Sequence, residues 1–327
     1  MPFRYLVAGR ELRSELPLPS LSRLQDAPPA AKGPGLDGGT LELIGSAQAF
    51  EEPARWLYTE RYDETLEPWR AVGVRADGRG YLVRLFGFAD FVLERGSPVA
   101  RVRVAGGAPD AAIEPLFLEQ VLPLWWALLG RPCLHASAVV WGEGEQARAI
   151  AFAGASGTGK STLATSLAGA GGLFADDCLA LDVTDEGVIA HPGHRAVRLL
   201  ADSAEALFAS AEAGEPAPGG DKRRVVVRAA ERPLVVARVF VLEPVAAEAA
   251  GVRVSRLTMR DAVSRLAGCL FRVDPEDRSQ LAGELDLLER MAGRVAAARI
   301  EVPRRFEALA EVRAAIGADL AGDRARK

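Results

Sequence analysis

Eight consecutive residues, Gly154-Ala155-Ser156-Gly157-Thr158-Gly159-Lys160-Ser161, fit the pattern G-x-x-x-x-G-K-[ST] without a departure. In such a segment the glycines let successive main-chain N–H groups turn inward around an anion. The helix that follows adds a partial positive charge at its N-terminus. Lys160 would reach the β and γ phosphates of a nucleoside triphosphate, the Ser161 hydroxyl would ligate Mg²⁺, and Thr162 completes the nucleotide-binding set. A glycine-rich turn that merely precedes a helix would explain the glycines but not Lys and Ser together in the next two positions. The chemistry expected of this P-loop is binding of ATP with Mg²⁺.

Transfer of a phosphoryl group needs more than a cradle, because a group must take the proton of the accepting hydroxyl and help to hold the metal. The pair Asp176-Asp177 is the candidate. The helix leaves the phosphate end of its strand, and the strand 173–175 then runs back parallel to the first, so Asp176 reaches the sheet edge that carries the loop. Adjacent carboxylates near phosphates repel one another without a cation, which again implies Mg²⁺. The bland alternative for Asp176-Asp177 is a turn leading to Leu179. His135 opens the strand before the loop strand, and its distance from the phosphates depends on a strand order that the sequence leaves open. His191 and His194 flank Pro192-Gly193 in a turn, where a surface role is at least as well supported as chemistry. Lys222 and Arg223, within Asp221-Lys222-Arg223-Arg224, could bring a cation onto a phosphate or could form a solvated strand end.

The elements that must position these groups can be read from periodicity. Around the loop the pattern is strand, turn, helix, strand, as in an α/β unit: strands at 135–141 and 147–153, a helix from Gly159 or Lys160 to about Leu167, a glycine-rich stop at 169–172, and the strand 173–175. Further on, strands are expected at 225–228 and 235–242 after a loop at 212–220, with helices at about 259–270, 280–291 and 306–316. Before it, the segments 70–74, 81–86, 88–94 and 99–104 alternate and are separated by turn residues, which reads as antiparallel hairpins. Residues 27–39 are rich in Pro, Gly and Ala and read as an irregular loop, and a helix over 111–130 carries Trp125 and Trp126. The organisation expected is a β-rich N-terminal domain (1–110), a connecting helix (111–132) and an α/β catalytic domain (133–327). The two tryptophans are expected to pack in the core or at a domain interface.

Composition limits the alternatives. With 49% apolar and 26% charged residues, the chain has the balance of a soluble globular protein able to bury a large core. The net charge of -4, with acids and bases interspersed, gives no basic stripe to follow a nucleic-acid backbone, so no nucleic-acid partner is expected. The first eight residues carry one arginine and no long apolar region behind it, and Glu119 and Gln120 interrupt the apolar stretch 116–129. Neither a signal peptide nor a membrane span is expected. Cys133, Cys178 and Cys269 are odd in number and lack C-x-x-C spacing, which suggests neither a disulfide framework nor a zinc site and fits a reducing cytoplasm.

Leu134-His135-Ala136-Ser137-Ala138, the loop 154–161 and Ala175-Asp176-Asp177 together resemble, in order and spacing, the C-terminal catalytic domain of HPr kinase/phosphorylase. The likeness is closer to the HPr-kinase-like serine kinases found with ribosomal peptide clusters, including lasso peptides. It implies a fold related to phosphoenolpyruvate carboxykinase and the phosphorylation of a serine hydroxyl with ATP and a divalent metal. It also implies Asp176 as the base on the hydroxyl, His135 as a partner near the transferred phosphate, Lys160 and the loop amides as the cradle, and Ser161 and Asp177 as metal-side residues. The match covers 134–181, with looser likeness at 192–199 and 222–226; over the first 130 residues only a β-rich leader pattern and the segment Ser14-Glu15-Leu16-Pro17-Leu18-Pro19 echo the peptide-cluster group. The chain departs from true HPr kinases in a longer loop between His135 and Gly154, in Ala136 where they have glycine, and in lacking an L-E-[IV]-R-G signature, which argues against a reverse phosphorylase activity. The expectation is an ATP-dependent kinase acting on a serine or threonine of a peptide or small protein, compatible with a homo-oligomer. The alternatives are a nucleotide-sensing module without phosphotransfer and a small-metabolite kinase.

Overall fold

A computed structural model describes residues 2–24, 40–61, 64–168, 172–194, 196–208, 214–216, 222–227, 230 and 232–324. The expected loop 27–39 lies outside the described residues, as do 169–171 of the glycine run, most of 212–220 and Asp221. The chain is mixed α/β with a β-rich N-terminal region, and it divides into two compact units, Met1–Pro132 with Phe271–Leu281 and Cys133–Leu270 with Ala282–Lys327. Among the described residues no helix is long and apolar enough to cross a membrane.

The first unit contains strands β1 (Phe3–Val7), β2 (Arg10–Ser14), β3 (Ser22–Arg23), β4 (Leu41–Gly45), β5 (Arg55–Glu60), β6 (Arg70–Val74), β7 (Gly80–Leu85), β8 (Ala89–Glu94) and β9 (Val99–Val104) in one sheet of order β3-β1-β2-β4-β9-β8-β7-β6-β5. The hairpins expected from alternation appear as the antiparallel run β6 to β9, whereas β4 joins β2 and β9 in parallel. The helical segment is α1 (Asp110–Leu116), a π-helical turn (Phe117–Val121) and α2 (Leu122–Leu128). Pro123 has no N–H to offer the carbonyl four residues back, and the ladder adjusts there, with the Leu122 N–H reaching Phe117 O. The helix buries its aromatic face within this unit: Phe117 stacks on Phe91 at 5.9 Å, and the buried Trp125 donates from Nε1 to Ser97 O at 2.9 Å. The Arg10 and Arg131 guanidinium groups lie against the Trp126 ring, and both tryptophans are buried core residues.

The second unit contains β10 (Cys133–Leu134), β11 (Ala136–Trp141), β12 (Arg148–Ala153), α3 (Lys160–Leu167), β13 (Leu173–Ala175), β14 (Leu179–Thr184), β15 (Gly187–Ala190), β16 (Ala196–Leu200), α4 (Ala201–Leu207), β17 (Glu215–Pro216), β18 (Lys222–Val226), β19 (Leu234–Val245), β20 (Arg253–Arg256), α5 (Met259–Ala267), all but the first turn of α6 (Arg278–Arg294), β21 (Ala297–Pro303) and α7 (Ala308–Arg324). The main sheet runs β10-β14-β15-β19-β12-β11-β13, with β21 also paired to β19 and β20 to β21. Strands β12, β19 and β21 are parallel, while β11 is antiparallel to both β12 and β13. Strand alternation divides the core. Ile150 and Phe152 of β12 and Phe240 of β19 pack with Leu163 and Leu167 of α3 and Val312 and Ile316 of α7; Ala149, Ala151, Val239 and Val241 face Leu266 of α5 and Leu288 and Met291 of α6. A separate sheet, β16-β18-β17, brings further residues to the edge described next.

Candidate functional site

One edge of the main sheet gathers the chemistry because of strand direction. Strand β12 ends at Ala153 and hands the chain to Gly154; Ala153 is the register partner of Ala136, so His135 enters β11 at the same edge. Ala175 ends β13 and pairs near Ala138 of β11. Two antiparallel steps give β13 the direction of β12, and Asp176 emerges on the edge that carries the glycine-rich loop. The return strand has the direction expected from the sequence, but β11 lies between it and β12.

The loop wraps through three left-handed glycines: φ is 155° at Gly154, 76° at Gly157 and 93° at Gly159. A Cβ at Gly154 would stand 3.1 Å from Leu242 O, whereas a Cβ at Gly157 or Gly159 would meet no atom within 4 Å. Gly154 therefore accommodates its neighbours, and the other two border open space, with Ala155, Ser156 and Gly157 exposed. Thr158 Oγ1 donates to Ala155 O at 2.8 Å, and Gly159 caps α3 by accepting from Leu163 N at 2.9 Å. Lys160 folds over the loop, its Nζ donating to Gly154 O at 2.9 Å and Ala155 O at 2.8 Å. Its burial lowers the ammonium pKa from the ordinary value, against the pull of Asp177, Cys269 and Asp176. The Thr162 hydroxyl donates to Ser203 Oγ at 3.1 Å, so it joins α3 to α4 instead of facing the loop.

Asp176 is 4% exposed. Its Oδ1 accepts from Ser137 Oγ at 2.6 Å and its Oδ2 from Arg198 N at 3.3 Å, and the Ser161 hydroxyl lies near enough to favour its ionised form. Burial, followed by the neighbouring Asp177 charge, pushes its carboxyl up to about 6, although those hydrogen bonds favour the ionised form. Asp177 sits at φ 59° in a one-residue turn in which Cys178 N donates to Asp176 O at 2.7 Å. This is a sparsely populated backbone for a residue with a side chain. Its Oδ2 accepts from Arg198 Nη2 at 3.0 Å. Burial raises the Asp177 carboxyl, but Arg198, His135 and Lys222 outweigh it and hold the group below the ordinary range.

His135 Nδ1 lies 3.0 Å from the Asp177 carbonyl oxygen. A carbonyl only accepts, so Nδ1 carries the proton and Nε2 is the nitrogen that titrates. Burial, then the Lys160 charge, lowers the imidazole pKa and favours its neutral form. Lys222 opens β18 within electrostatic reach of His135, Lys160 and Asp177. Alternation turns Arg223 to the other face, where its guanidinium lies 3.5 Å from Gly214 O and 4.0 Å from a Glu205 oxygen. Arg224 shares the Lys222 face; burial first, then Arg224, pushes His194 down to about 4. His191 Nε2 is 2.6 Å from Asp182 Oδ2, a bond within the β14–β15 region.

The structure thus brings Lys160, Ser161, Asp176, Asp177, His135 and Lys222 to one edge and leaves Thr162 and Arg223 in other contacts. Two residues that sequence reasoning assigned no role, Ser137 and Arg198, hold the carboxylates. Ser137 shares the strand face of His135, a signal present in the spacing of two; Arg198 lies on β16, a strand not recognised from the sequence. Among the described residues no cluster of three or more His, Cys, Asp or Glu side chains could hold a metal by itself. The hard oxygens of Ser161 and the two carboxylates are donors of the kind Mg²⁺ uses when most of its ligands are phosphate and water. Compared with known proteins, the chain matches no family model and no curated protein sequence.

Proposed function

We propose that this chain is a Mg·ATP-dependent kinase, with a P-loop catalytic domain of the HPr-kinase and phosphoenolpyruvate-carboxykinase type, that phosphorylates a serine or threonine hydroxyl of a peptide or small protein. The observation that carries the reading is that strand register brings Asp176, a buried carboxyl whose pKa is raised to about 6, to the sheet edge that carries the glycine-rich loop and Ser161. An anion cradle and a carboxylate poised near neutrality stand at the same sheet edge, which suits in-line transfer to an alcohol.

In this reading the N–H groups of residues 156–161 and the Lys160 ammonium bind the phosphates, with Nζ exchanging the Gly154 and Ala155 carbonyls for phosphate oxygens. The acceptor oxygen forms a bond to the γ-phosphorus, the bond from that phosphorus to the β–γ bridging oxygen breaks, and ADP leaves. Asp176 receives the hydroxyl proton, while Ser137 and the Arg198 amide keep its oxygens oriented. His135 presents Nε2 beside the transferred group, with its ring fixed by the Asp177 carbonyl. Mg²⁺, held by Ser161 and the acidic pair, would neutralise charge that develops on the phosphate oxygens. Arg198 meanwhile balances Asp177, so the pair can sit together at the edge of the sheet.

The test is incubation of the purified chain with γ-labelled ATP and magnesium, offering in parallel a pool of serine- and threonine-containing peptides and a pool of small metabolites. Label on peptide hydroxyls, lost in Lys160→Ala, is the expected result. Label in metabolites alone would replace the acceptor class, and nucleotide binding without any transfer would replace the kinase reading by nucleotide sensing.

A further inference from the structure

Cys133 and Cys178 are 45 residues apart in sequence, and their sulfurs stand 2.8 Å from one another. The approach follows from pairing: β10 runs antiparallel to β14 with Cys133 opposite Ala180, and Cys178, two residues before Ala180, shares its side of the chain. Neither cysteine takes part in a disulfide, so both carry reduced sulfur. Cys133 is buried and Cys178 is half-buried, so a small oxidant reaches Cys178 first. Cys269 points elsewhere, its Sγ lying 3.6 Å from Arg265 O. The pair brackets the site: Cys133 is two residues before His135, and Cys178 directly follows Asp177 and donates its N–H to close the turn.

We propose that Cys133 and Cys178 form a reversible intramolecular disulfide, which fastens the turn bearing Asp176 and Asp177 to β10. With a peroxide as oxidant, the Cys178 thiolate attacks the O–O bond, which breaks to give a sulfenic acid and a hydroxide that takes up a proton. The Cys133 thiol sulfur then displaces the sulfenic oxygen, and with the thiol proton that oxygen leaves as water. Two thiols and one peroxide give one disulfide and two waters. The sulfurs need to close by less than 1 Å to reach the roughly 2.05 Å of a bonded pair, so the strands can stay in register. The bond would restrain residues 176–178, and a dithiol reductant would release them.

The test treats the full-length chain with a stoichiometric amount of hydrogen peroxide under native conditions, then measures free thiols after denaturation and maps the peptides. The expected result is a fall from three thiols to one, a single Cys133–Cys178 linkage in a monomeric species, and complete reversal by dithiothreitol. Cys269→Ser should leave the linkage intact, and Cys178→Ala, at the half-buried position and so the variant better able to fold, should abolish it. Bonds between chains, a linkage through Cys269, or peroxide oxidation of Cys178 to sulfinic acid with Cys133 still free would overturn the proposal. None of these readouts involves nucleotide, so the outcome is separate from that of the kinase reading.

Discussion

Replacing Asp176 by Asn should make the protein more stable at slightly alkaline pH while removing phosphotransfer. Burial and Asp177 lift the carboxyl from 3.8 to about 6. That gap corresponds to about 3 kcal/mol at roughly 1.4 kcal/mol per pH unit. The sign follows from linkage: between pH 4 and 6 the folded chain holds a proton that the unfolded chain has released. Stability therefore falls as pH rises through that window, and the full penalty applies above it. Asn carries no charge and escapes the penalty, but its amide cannot accept both from Ser137 Oγ and from Arg198 N, which costs about 1 kcal/mol. The expected balance is a variant about 2 kcal/mol more stable than the parent at pH 8 and nearly equal to it at pH 4.5. With the loss of the proposed base, turnover should fall by about 100-fold or more. Urea denaturation of both proteins at the two pH values measures the difference. A variant less stable at pH 8, or a difference that does not change with pH, would refute the assignment of a buried, destabilising charge at this position.

Three other changes test separate parts of the edge. Gly157→Ala introduces a methyl where no atom lies within 4 Å but where φ is 76°; it should cost about 1–2 kcal/mol by thermal denaturation and weaken Mg·ATP by at least about 10-fold in calorimetry. Ser137→Ala removes a donor that favours the ionised Asp176, so the acid limb of the kcat/KM profile should move to higher pH by about one unit. His194 stays neutral in the fold while its unfolded counterpart protonates between 6.5 and about 4, so stability is lost as pH falls through that range. His194→Gln should make that decline shallower, as read from melting temperatures across the same pH series.

How much could be read from the sequence followed the range of the interactions involved. The loop at 154–161 was legible because strand, turn and helix lie within one short stretch, and the left-handed glycines, the capping and the lysine reach are all local. The direction of β13 was legible from the handedness of the crossover, but its neighbour was not, because β11 occupies the space between β12 and β13 through a hairpin that could have paired on either side. The parallel pairing of β4 with β9 joins residues from 42 to 102 and leaves no local signature. Charged residues, two arginines in β20 and Arg299 and Glu301 in β21, interrupt the apolar pattern of these strands and mask them, and Arg198 was missed together with its strand. The break in the N-terminal unit's helix has a cause visible in Pro123, although the π turn that answers it is not encoded by spacing alone. Residues 271–281 group with the first unit through contacts that no composition change announces. The closeness of Cys133 and Cys178 is likewise a product of strand pairing, invisible in their separation of 45 residues.

A crystal structure of the protein with a non-hydrolysable ATP analogue and magnesium addresses the central claim most directly. Phosphate density is expected within hydrogen-bond distance of the main-chain amides of residues 156–161, with Lys160 turned from the Gly154 and Ala155 carbonyls onto that density and the Asp176 carboxylate on the open side of the γ-phosphorus. Nucleotide bound elsewhere, or a loop that keeps its lysine on those carbonyls at saturating nucleotide, would contradict it.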